Sequence, residues 1–277
     1  MIHGIDESNV RDSLRLEGAP NFRDLGGLTA ADGRRLRPRL LFRSEGPGYF
    51  NQNDQATLRS LGVRTVCDLR SDGERTAHPH LWCGDAPLLN VDIPIDARVL
   101  GNEAWKLMQA DPTAGGARAA MAYNYRAIGR TIADPFRRLI DHLLTQRKVP
   151  LLVHCTAGKD RTGVVVALLL HALEVPADQI KADYMLSSRF AGGTGLPAAV
   201  RKMFGDLGIV DPPPELAALI VGVEAAYLEV AMDEMLRGIE TLDRFFEERV
   251  GLDRSRRAAL QEIFLESPPP QGTRTSD

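Results

Sequence analysis

The sequence lacks the features that would assign it to a membrane, a secretory route or a nucleic acid. Its cysteines, Cys67, Cys83 and Cys155, cannot complete a disulfide framework, so a reducing compartment is the simpler expectation. The N-terminal residues contain no apolar core typical of signal peptides, and the apolar run GVVVALLL is too short to span a bilayer. The formal net charge of −3 excludes a global field that attracts nucleic acid or anionic lipid. We therefore expect a cytoplasmic protein without a transmembrane segment or a nucleic-acid partner; secretion without a recognisable signal is the alternative.

The chain does have enough apolar residues for one substantial core. Its 277 residues are 44% hydrophobic and 26% charged, which favours one large domain. Residues 1–20 show little apolar periodicity and are predicted to form an N-terminal arm. Residues 267–277, SPPPQGTRTSD, are rich in proline and polar residues, which predicts a disordered tail. The domain itself is therefore placed at residues 21–266.

Short apolar runs indicate the strands. VRTVCDLRS, PLLNVDI and PLLVH are typical of buried strands. The stretch NFRDLGGLTAADGRRLRPRLLFRS has turn signals at Gly26–Gly27 and Asp32–Gly33, which favour a hairpin that leads into the sheet. Because the small net charge gives no global attraction for anions, an anion site would have to come from a local feature, such as a loop at the end of one of these strands.

Helical patterns lie between these strands. Asn53 is a candidate N-cap for one helix, and Asp134 followed by Pro135 is a candidate start for another. Only helices are predicted beyond Pro176, including a long amphipathic stretch from Pro214 to about Val250. Strands separated by helices favour an α/β fold with a central, mostly parallel sheet flanked by helices.

The ten residues HCTAGKDRTG, at 154–163, join the strand PLLVH to a helix. A loop between a strand and a helix N-terminus presents unpaired backbone N–H groups and the positive end of the helix dipole, which together bind anions. Small residues let the backbone curl until successive N–H groups point to one centre. The predicted phosphate-binding residues are Thr156, Ala157, Gly158, Lys159, Arg161 and Thr162.

Two side chains of this loop supply reactive chemistry. The field of the loop favours the thiolate form of Cys155, which is then a nucleophile at neutral pH. Arg161 can turn its planar guanidinium back over the loop and hold two phosphate oxygens. This arrangement matches what phosphoryl transfer to sulfur needs. Thr162 is placed to hydrogen-bond the thiolate, and His154 is placed to support the loop.

Other interpretations of the stretch fit less well. A Walker A loop would need glycine where Val153 stands, and Asp160 follows the lysine. A zinc site would combine His154 and Cys155 with ligands from the stretch between Cys67 and Cys83, which contains HPH, but this grouping has no C-x-x-C pair. An inert buried Cys155 would leave the glycine, lysine and arginine of the loop unexplained. Two functional rivals stay open: a phosphate-binding module without turnover, and thiol redox or sulfur-transfer chemistry, which would need a nearby resolving cysteine or a different loop.

HCTAGKDRTG resembles the phosphate loop of the cysteine-dependent protein tyrosine phosphatases. NFRDLGG, DGRRLRPRLLFRS and TVCDLRS resemble one branch of that family, the atypical bacterial and fungal enzymes described as tyrosine/serine or triple-specificity phosphatases. The likeness runs from about Asn21 to the helices near Glu248. It implies the cysteine-dependent phosphatase fold and hydrolysis of phosphomonoesters through a cysteinyl-phosphate intermediate, with no metal or cofactor. The implied substrate is a phosphoprotein, a phosphorylated small molecule or a lipid headgroup such as a phosphoinositide.

The resemblance also gives a role to Asp160, whose charge would otherwise repel an anion. In that branch the aspartate five residues after the nucleophile is the general acid, and a carboxyl beside a bound phosphate dianion keeps a proton because like charge favours its neutral form. The alternatives are that Asp160 only caps the helix, or that Asp111 or Asp134 supplies the proton. Lys159 is expected to offset the charge of Asp160 and to extend the basic surface toward additional phosphates.

Residues outside the loop complete the expected site. Asp68 and Arg70 follow the strand TVCD and should lie beside the loop at the C-terminal edge of the sheet, where they orient Arg161 or the loop. A structural ion-pair group in the same region is the alternative, formed by Arg23, Asp24 and Arg43.

Two further expectations concern protection of the thiolate. Residues 176–207, which include Tyr184, resemble the helical lid of the family. Cys67 is a candidate for a protective disulfide with Cys155 under oxidation.

Overall fold

A five-stranded sheet forms the centre of the protein in the computed structural model, which describes residues 14–46, 48, 50–79, 88–90, 102–190 and 196–267. The order across the sheet is β1-β2-β5-β3-β4. β1 pairs antiparallel with β2, and the other pairs are parallel. The predicted α/β class with a mostly parallel sheet is therefore confirmed. The strands are β1 (Arg23–Asp24), β2 (Leu41–Ser44), β3 (Thr65–Asp68), β4 (Leu88–Asn90) and β5 (Leu151–His154).

The three central strands, β2, β5 and β3, end level with one another. Every residue of these strands is buried, as their apolar runs predict. Ser44 and Asp68 both pair with His154, the last residue of β5. The loops that follow the carboxyl ends of these strands therefore meet at one edge of the sheet, where α/β proteins bind ligands.

Helices connect the strands and make up the chain after β5. Apart from an isolated bridge between Leu36 and Leu265, the described residues beyond Pro176 contain helices only, as predicted. The helices before β5 are α1 (Gln52–Ser60), α2 (Asp72–Ala77), α3 (Asn102–Ala110), α4 (Ala114–Thr131) and α5 (Ala133–Gln146). Those after it are α6 (Asp160–Ala172), α7 (Ala177–Phe190), α8 (Ala198–Asp206), α9 (Pro214–Val221), α10 (Ala225–Met235), α11 (Leu242–Phe245), which continues as a π-helical turn at Phe246–Val250, and α12 (Arg254–Phe264).

Helix α6 runs through the main core. Its residues from Thr162 to Leu170 are all buried, so GVVVALLL is an internal helical segment. No helix in the described part of the chain is long and apolar enough to cross a membrane. Only residues 155–159 separate β5 from α6, so the packing of both elements fixes this loop at its two ends.

Two predicted helix starts are wrong. The N-cap of α1 is Asn51 and not Asn53, because Asn51 forms a reciprocal capping box with the acidic third residue of the helix. Helix α5 begins at Ala133, so Asp134 lies within the first turn and caps nothing. Asp134 pairs there with Arg137 at 2.6 Å.

The long amphipathic stretch predicted from Pro214 to Val250 is divided into shorter helices. Gly222 ends α9 in an extended conformation. Gly238, after α10, has a φ of 78°, which lies in the left-handed region that favours glycine. Apolar periodicity alone cannot locate such breaks, since it continues across them.

The described part of the expected N-terminal arm packs on the domain. Leu16 and Ala19 are buried in an apolar cluster with Phe22 and Phe42. The carboxylate of Asp54 accepts hydrogen bonds from two backbone amides of this stretch, at residues 17 and 18. The expected disordered tail from residue 268 onward lies outside the described residues.

Candidate active site

The loop between β5 and α6 begins with the candidate nucleophile. Cys155 is 2% exposed, and Lys159 is the N-cap residue of α6. No hydrogen bond within the described part of the chain uses the amides of residues 156–159, and the first N–H groups of a helix have no intrahelical acceptor. These amides therefore remain available to bind an anion on the loop that carries Cys155.

Gly158 gives the loop its curvature. Its φ is 66°, and a Cβ atom at this position would lie 2.5 Å from the backbone of Ser44. Its carbonyl oxygen accepts hydrogen bonds from Asn21 Nδ2 at 3.0 Å and from Arg43 Nη2 at 2.9 Å. Any side chain here would displace the loop from the end of β2.

Arg161 is held by Glu74, a residue of α2. Arg161 Nη1 donates to Glu74 Oε2 at 2.7 Å, and Nη2 donates to Oε1 at 2.6 Å. Nη1 also donates to the carbonyl of Leu69 at 3.1 Å. Among the described residues, nothing accepts from Nε, and the remaining Nη2 hydrogen has only a 3.5 Å contact with Thr156 Oγ1. The Nε–Nη2 edge of the guanidinium is thus available for two phosphate oxygens.

The pair with Arg161 keeps Glu74 ionised. Burial alone would raise the pKa of Glu74, but the hydrogen bonds and charge of Arg161 outweigh burial and lower this pKa to about 2. Glu74 also accepts a hydrogen bond from the Thr156 hydroxyl. Sequence reasoning missed Glu74; its only signal was the S-x-x-E capping box that Ser71 opens.

Asp160 is the first residue of α6, and Lys159 occupies the N-cap position. The hypothesis that Asp160 only caps the helix is therefore wrong. Its Oδ1 accepts hydrogen bonds from Tyr125 OH at 2.7 Å and from Lys159 Nζ at 2.9 Å. Its side chain is 29% exposed, so the carboxyl is partly open to solvent.

Lys159 offsets the charge of Asp160 as expected, but it is only 8% exposed. Besides Asp160, its ammonium group donates to the carbonyl of Gly222, between α9 and α10, at 3.2 Å. In this structure the lysine points into the protein, so it does not extend the basic surface around the loop.

His154, Asp68 and Arg70 support the loop from the sheet. His154 Nδ1 lies 3.1 Å from the carbonyl oxygen of Cys155. Burial lowers the pKa of His154 to about 4 despite the nearby Asp68 carboxylate, so the ring is neutral at pH 7. Arg70 pairs with Asp68 at 2.8 Å. This pair lies on either side of Leu69, whose carbonyl accepts from Arg161, so its contact with Arg161 is indirect.

A buried ion-pair group joins helix α7 to the phosphate loop. Asp183 accepts hydrogen bonds from Arg23 Nε and Arg43 Nη1, both at 2.7 Å, and Arg43 also bonds Gly158. Burial would raise the pKa of Asp183, but the two arginines outweigh it and lower this pKa to about 2. Asp24, the partner considered from sequence, instead accepts backbone amides, at Gly26 and residue 39. Asp183 was visible in sequence only as an acid within the apolar pattern of ADYMLSS.

Other candidates lie away from these contacts. Asp111 is exposed and accepts from Thr113 at 2.6 Å. The described residues hold no group of three or more metal ligands, and Cys83, which the zinc alternative needs, lies outside them. Cys67 is a free, buried thiol, and burial raises its pKa, which disfavours the thiolate that disulfide exchange requires. The disulfide of Cys67 with Cys155 stays a prediction.

A buried thiol, unused amides, a guanidinium held by an acid and a partly exposed carboxyl occur together on this loop, and they are the groups that a cysteine-dependent phosphatase needs. A sequence profile described as the tyrosine phosphatase family matches residues 14–266. A Cupriavidus necator protein, provisionally named a tyrosine-protein phosphatase, is 31% identical over 249 residues, which cover 88% of this chain and 86% of the relative. The triple specificity protein phosphatase PtpB of Mycobacterium tuberculosis is 32% identical over 243 residues, which cover 78% of this chain and 86% of PtpB. The chain therefore belongs to the tyrosine phosphatase family.

Among solved structures, P. aeruginosa TpbA in complex with pTyr is 21% identical to this chain. The match covers 72% of this chain and 90% of TpbA, with a TM-score of 0.29.

Proposed function

We propose that this protein hydrolyses phosphotyrosine and phosphoserine residues through a cysteinyl-phosphate intermediate on Cys155, with no metal or cofactor. The observation that carries the proposal is the position of Arg161. Glu74 holds one edge of its guanidinium and leaves the Nε–Nη2 edge without a strong partner, beside a loop whose amides are unused. A phosphate dianion satisfies both sets of donors at once.

In the first step the Cys155 thiolate attacks phosphorus in line with the leaving oxygen. The sulfur–phosphorus bond forms as the phosphorus–oxygen bond breaks, and Asp160 gives its proton to the leaving oxygen. The loop amides and Arg161 stabilise the charge on the equatorial oxygens. The Thr162 hydroxyl, which is buried and has no hydrogen-bond partner among the described residues, is the group we assign to stabilise the thiolate.

In the second step water attacks the phosphorus of the cysteinyl phosphate. The Asp160 carboxylate takes a proton from this water, the phosphorus–sulfur bond breaks, and inorganic phosphate leaves with the thiolate restored. His154 stays neutral in both steps and acts as a support, because burial lowers its pKa to about 4.

The loop amides and Arg161 bind only the phosphate group in this mechanism, so they do not distinguish between the molecules that carry it. PtpB is named for triple specificity, which supports more than one substrate class here, including phosphorylated small molecules. We include phosphoinositide headgroups among the proposed substrates. Lys159 would have to release Asp160 and Gly222 to reach a second phosphate, so we expect these substrates to react more slowly than phosphotyrosine.

The experiment that tests this function compares phosphate release from an aryl phosphate and from a phosphoserine peptide. Wild type, Asp160→Asn and the blank Cys155→Ser are measured side by side. We expect the loss in Asp160→Asn to be about 10²- to 10⁴-fold, and larger for the serine alkoxide, because a poorer leaving group depends more on the acid.

Each result separates the alternatives. Wild-type turnover with little loss in Asp160→Asn would move the acid to Asp111. Tight phosphopeptide binding without phosphate release would favour a binding module over an enzyme.

We also infer a domain that spans residues 21–266, a cytoplasmic location, and a lid at residues 176–207. The three cysteines of the sequence, which cannot complete a disulfide framework, support a reducing compartment. The buried residues Leu16 and Ala19, which precede this span, support an extension of the domain to at least residue 16. Asp183 anchors α7 to the loop through Arg43, so within the described part of this segment we expect a lid movement to involve α8.

A further inference from the structure

A buried chain of hydroxyl groups ends on the carboxyl of Asp160. Tyr125 of α4 and Tyr184 of α7 are both fully buried, and their hydroxyl oxygens lie 2.7 Å apart. Tyr125 OH donates to Asp160 Oδ1, also at 2.7 Å. Tyr227 of α10 packs against the ring of Tyr125, with centroids 5.4 Å apart. Hydrogen bonds therefore link the candidate general acid to α4, which precedes the loop in sequence, and through Tyr125 to α7, which follows it.

The direction of these hydrogen bonds is fixed by the number of protons. A phenol has one proton. Because Tyr125 gives its proton to Asp160, Tyr184 must donate to the oxygen of Tyr125. Burial and the charge of Asp160 raise the pKa values of Tyr125 and Tyr184 above the ordinary value of tyrosine. Both hydroxyl groups therefore keep their protons and remain hydrogen-bond donors throughout the working pH range.

The two oxygens of Asp160 have different surroundings. Oδ1 accepts from both Tyr125 and Lys159, which occupies its two lone pairs. Among the described residues nothing bonds to Oδ2. A proton on this carboxyl therefore resides on Oδ2.

We propose that Tyr125, held by Tyr184, is a positioning residue that makes Oδ2 the proton-carrying oxygen of Asp160. The inference rests on the proposed function. Oδ2 gives its proton to the leaving oxygen in the first step and takes a proton from water in the second. The Tyr125 hydrogen bond to Oδ1 persists through both, so the carboxyl does not rotate between them.

The test compares the pH dependence of kcat/KM for wild type, Tyr125→Phe and the control Tyr227→Phe. The basic limb reports loss of the proton from the acid in the free enzyme. Removing the Tyr125 donor destabilises the carboxylate, so we expect this limb to move up by about one pH unit in Tyr125→Phe. The other groups that face Asp160 stay in place, namely Lys159, Arg161, Tyr184 and Tyr227. Tyr227→Phe removes a hydroxyl that makes no hydrogen bond to Asp160 within the described structure, so its limb should not move.

The hydrolysis rate of a phosphoserine peptide gives a second readout. We expect Tyr125→Phe to lower kcat about tenfold in the wild-type background and to have no further effect in Asp160→Asn. An unmoved limb in Tyr125→Phe, an equal shift in Tyr227→Phe, or a full additional loss in Asp160→Asn would each overturn the inference. Thermal unfolding of each variant shows whether it is folded.

A measurement without turnover separates this inference from the proposed function. The Asp160 carboxyl is titrated by carbon-13 NMR in wild type and in Tyr125→Phe. A higher midpoint in Tyr125→Phe supports the hydrogen bond even if the wild type hydrolyses no substrate. An unchanged midpoint overturns it even if the wild type is an active phosphatase.

Discussion

Glu74 determines which edge of the Arg161 guanidinium stays free for a ligand. Its two oxygens occupy Nη1 and Nη2, and its own position depends on the capping box at the start of α2. A guanidinium without this partner could present any edge to the loop. The orientation of the Arg161 guanidinium therefore depends on an acid to which we assign no contact with substrate.

Replacing Glu74 with Gln should lower kcat/KM about 100-fold, because a displaced guanidinium no longer matches the transition state. Inhibition by inorganic phosphate should weaken in parallel. Steady-state kinetics with an aryl phosphate checks both quantities. Asp72→Asn, on the same helix but exposed and paired only with Arg75 among the described contacts, is the matched control, and a loss of the same size there would contradict the assignment.

That the candidate residues of the loop lie close together could be predicted from sequence, and the residues that hold them could not. Cys155 and Arg161 are six positions apart on one loop, so local spacing is enough to bring them together. Glu74 and Tyr125 reach the loop only after α2 and α4 have packed. No local pattern records those long-range contacts.

At the scale of elements, helix α7 acts as a brace behind the phosphate loop. Asp183 binds Arg23 of β1 and Arg43 of β2. Arg43 also donates a hydrogen bond to the carbonyl oxygen of Gly158 in the loop. The sheet strands were predictable from their apolar runs. The contacts of Asp183 with the two arginines could not be predicted from sequence, because they join three charged residues from three separate elements.

Asp183→Asn should destabilise the fold by about 3–5 kcal/mol, since it leaves two buried arginines without a counter-charge. Arg43 also donates to the carbonyl of Gly158 in the loop, so phosphate affinity should fall too. Chemical denaturation and phosphate inhibition measure the two effects. Asp178→Asn, an exposed acid on the same helix, should change neither by a comparable amount.

For the whole molecule, the buried carboxylates set the stability toward acid. The pKa values of Glu74 and Asp183 are both lowered to about 2 in the folded state, from ordinary values of 4.5 and 3.8. The unfolded chain therefore binds more protons, and the stability from these groups is fully present above pH 4.5 and is lost as the pH falls toward 2. The structural cause lies in three arginines, Arg161, Arg23 and Arg43.

We expect the free energy of unfolding to fall by several kcal/mol between pH 4.5 and pH 2, with about 3 kcal/mol from Glu74 at 1.36 kcal/mol per pKa unit. Urea denaturation at a series of pH values measures this slope. The Glu74→Gln variant should show a shallower slope over the same window. Equal slopes in both proteins would show that Glu74 does not titrate with folding.

The distance along the chain between the partners of the brace has a consequence for biosynthesis. Arg23 and Asp183 are separated by 160 residues, and the nucleophile lies between them. On the ribosome, a nascent chain that has emerged only through the phosphate loop has its cysteine but not the helix that braces the loop. Because domains fold as units once their long-range contacts can form, the braced loop that carries Cys155 is assembled only when synthesis has passed α7. The candidate active site therefore forms late in synthesis, at the same time as the core that surrounds it.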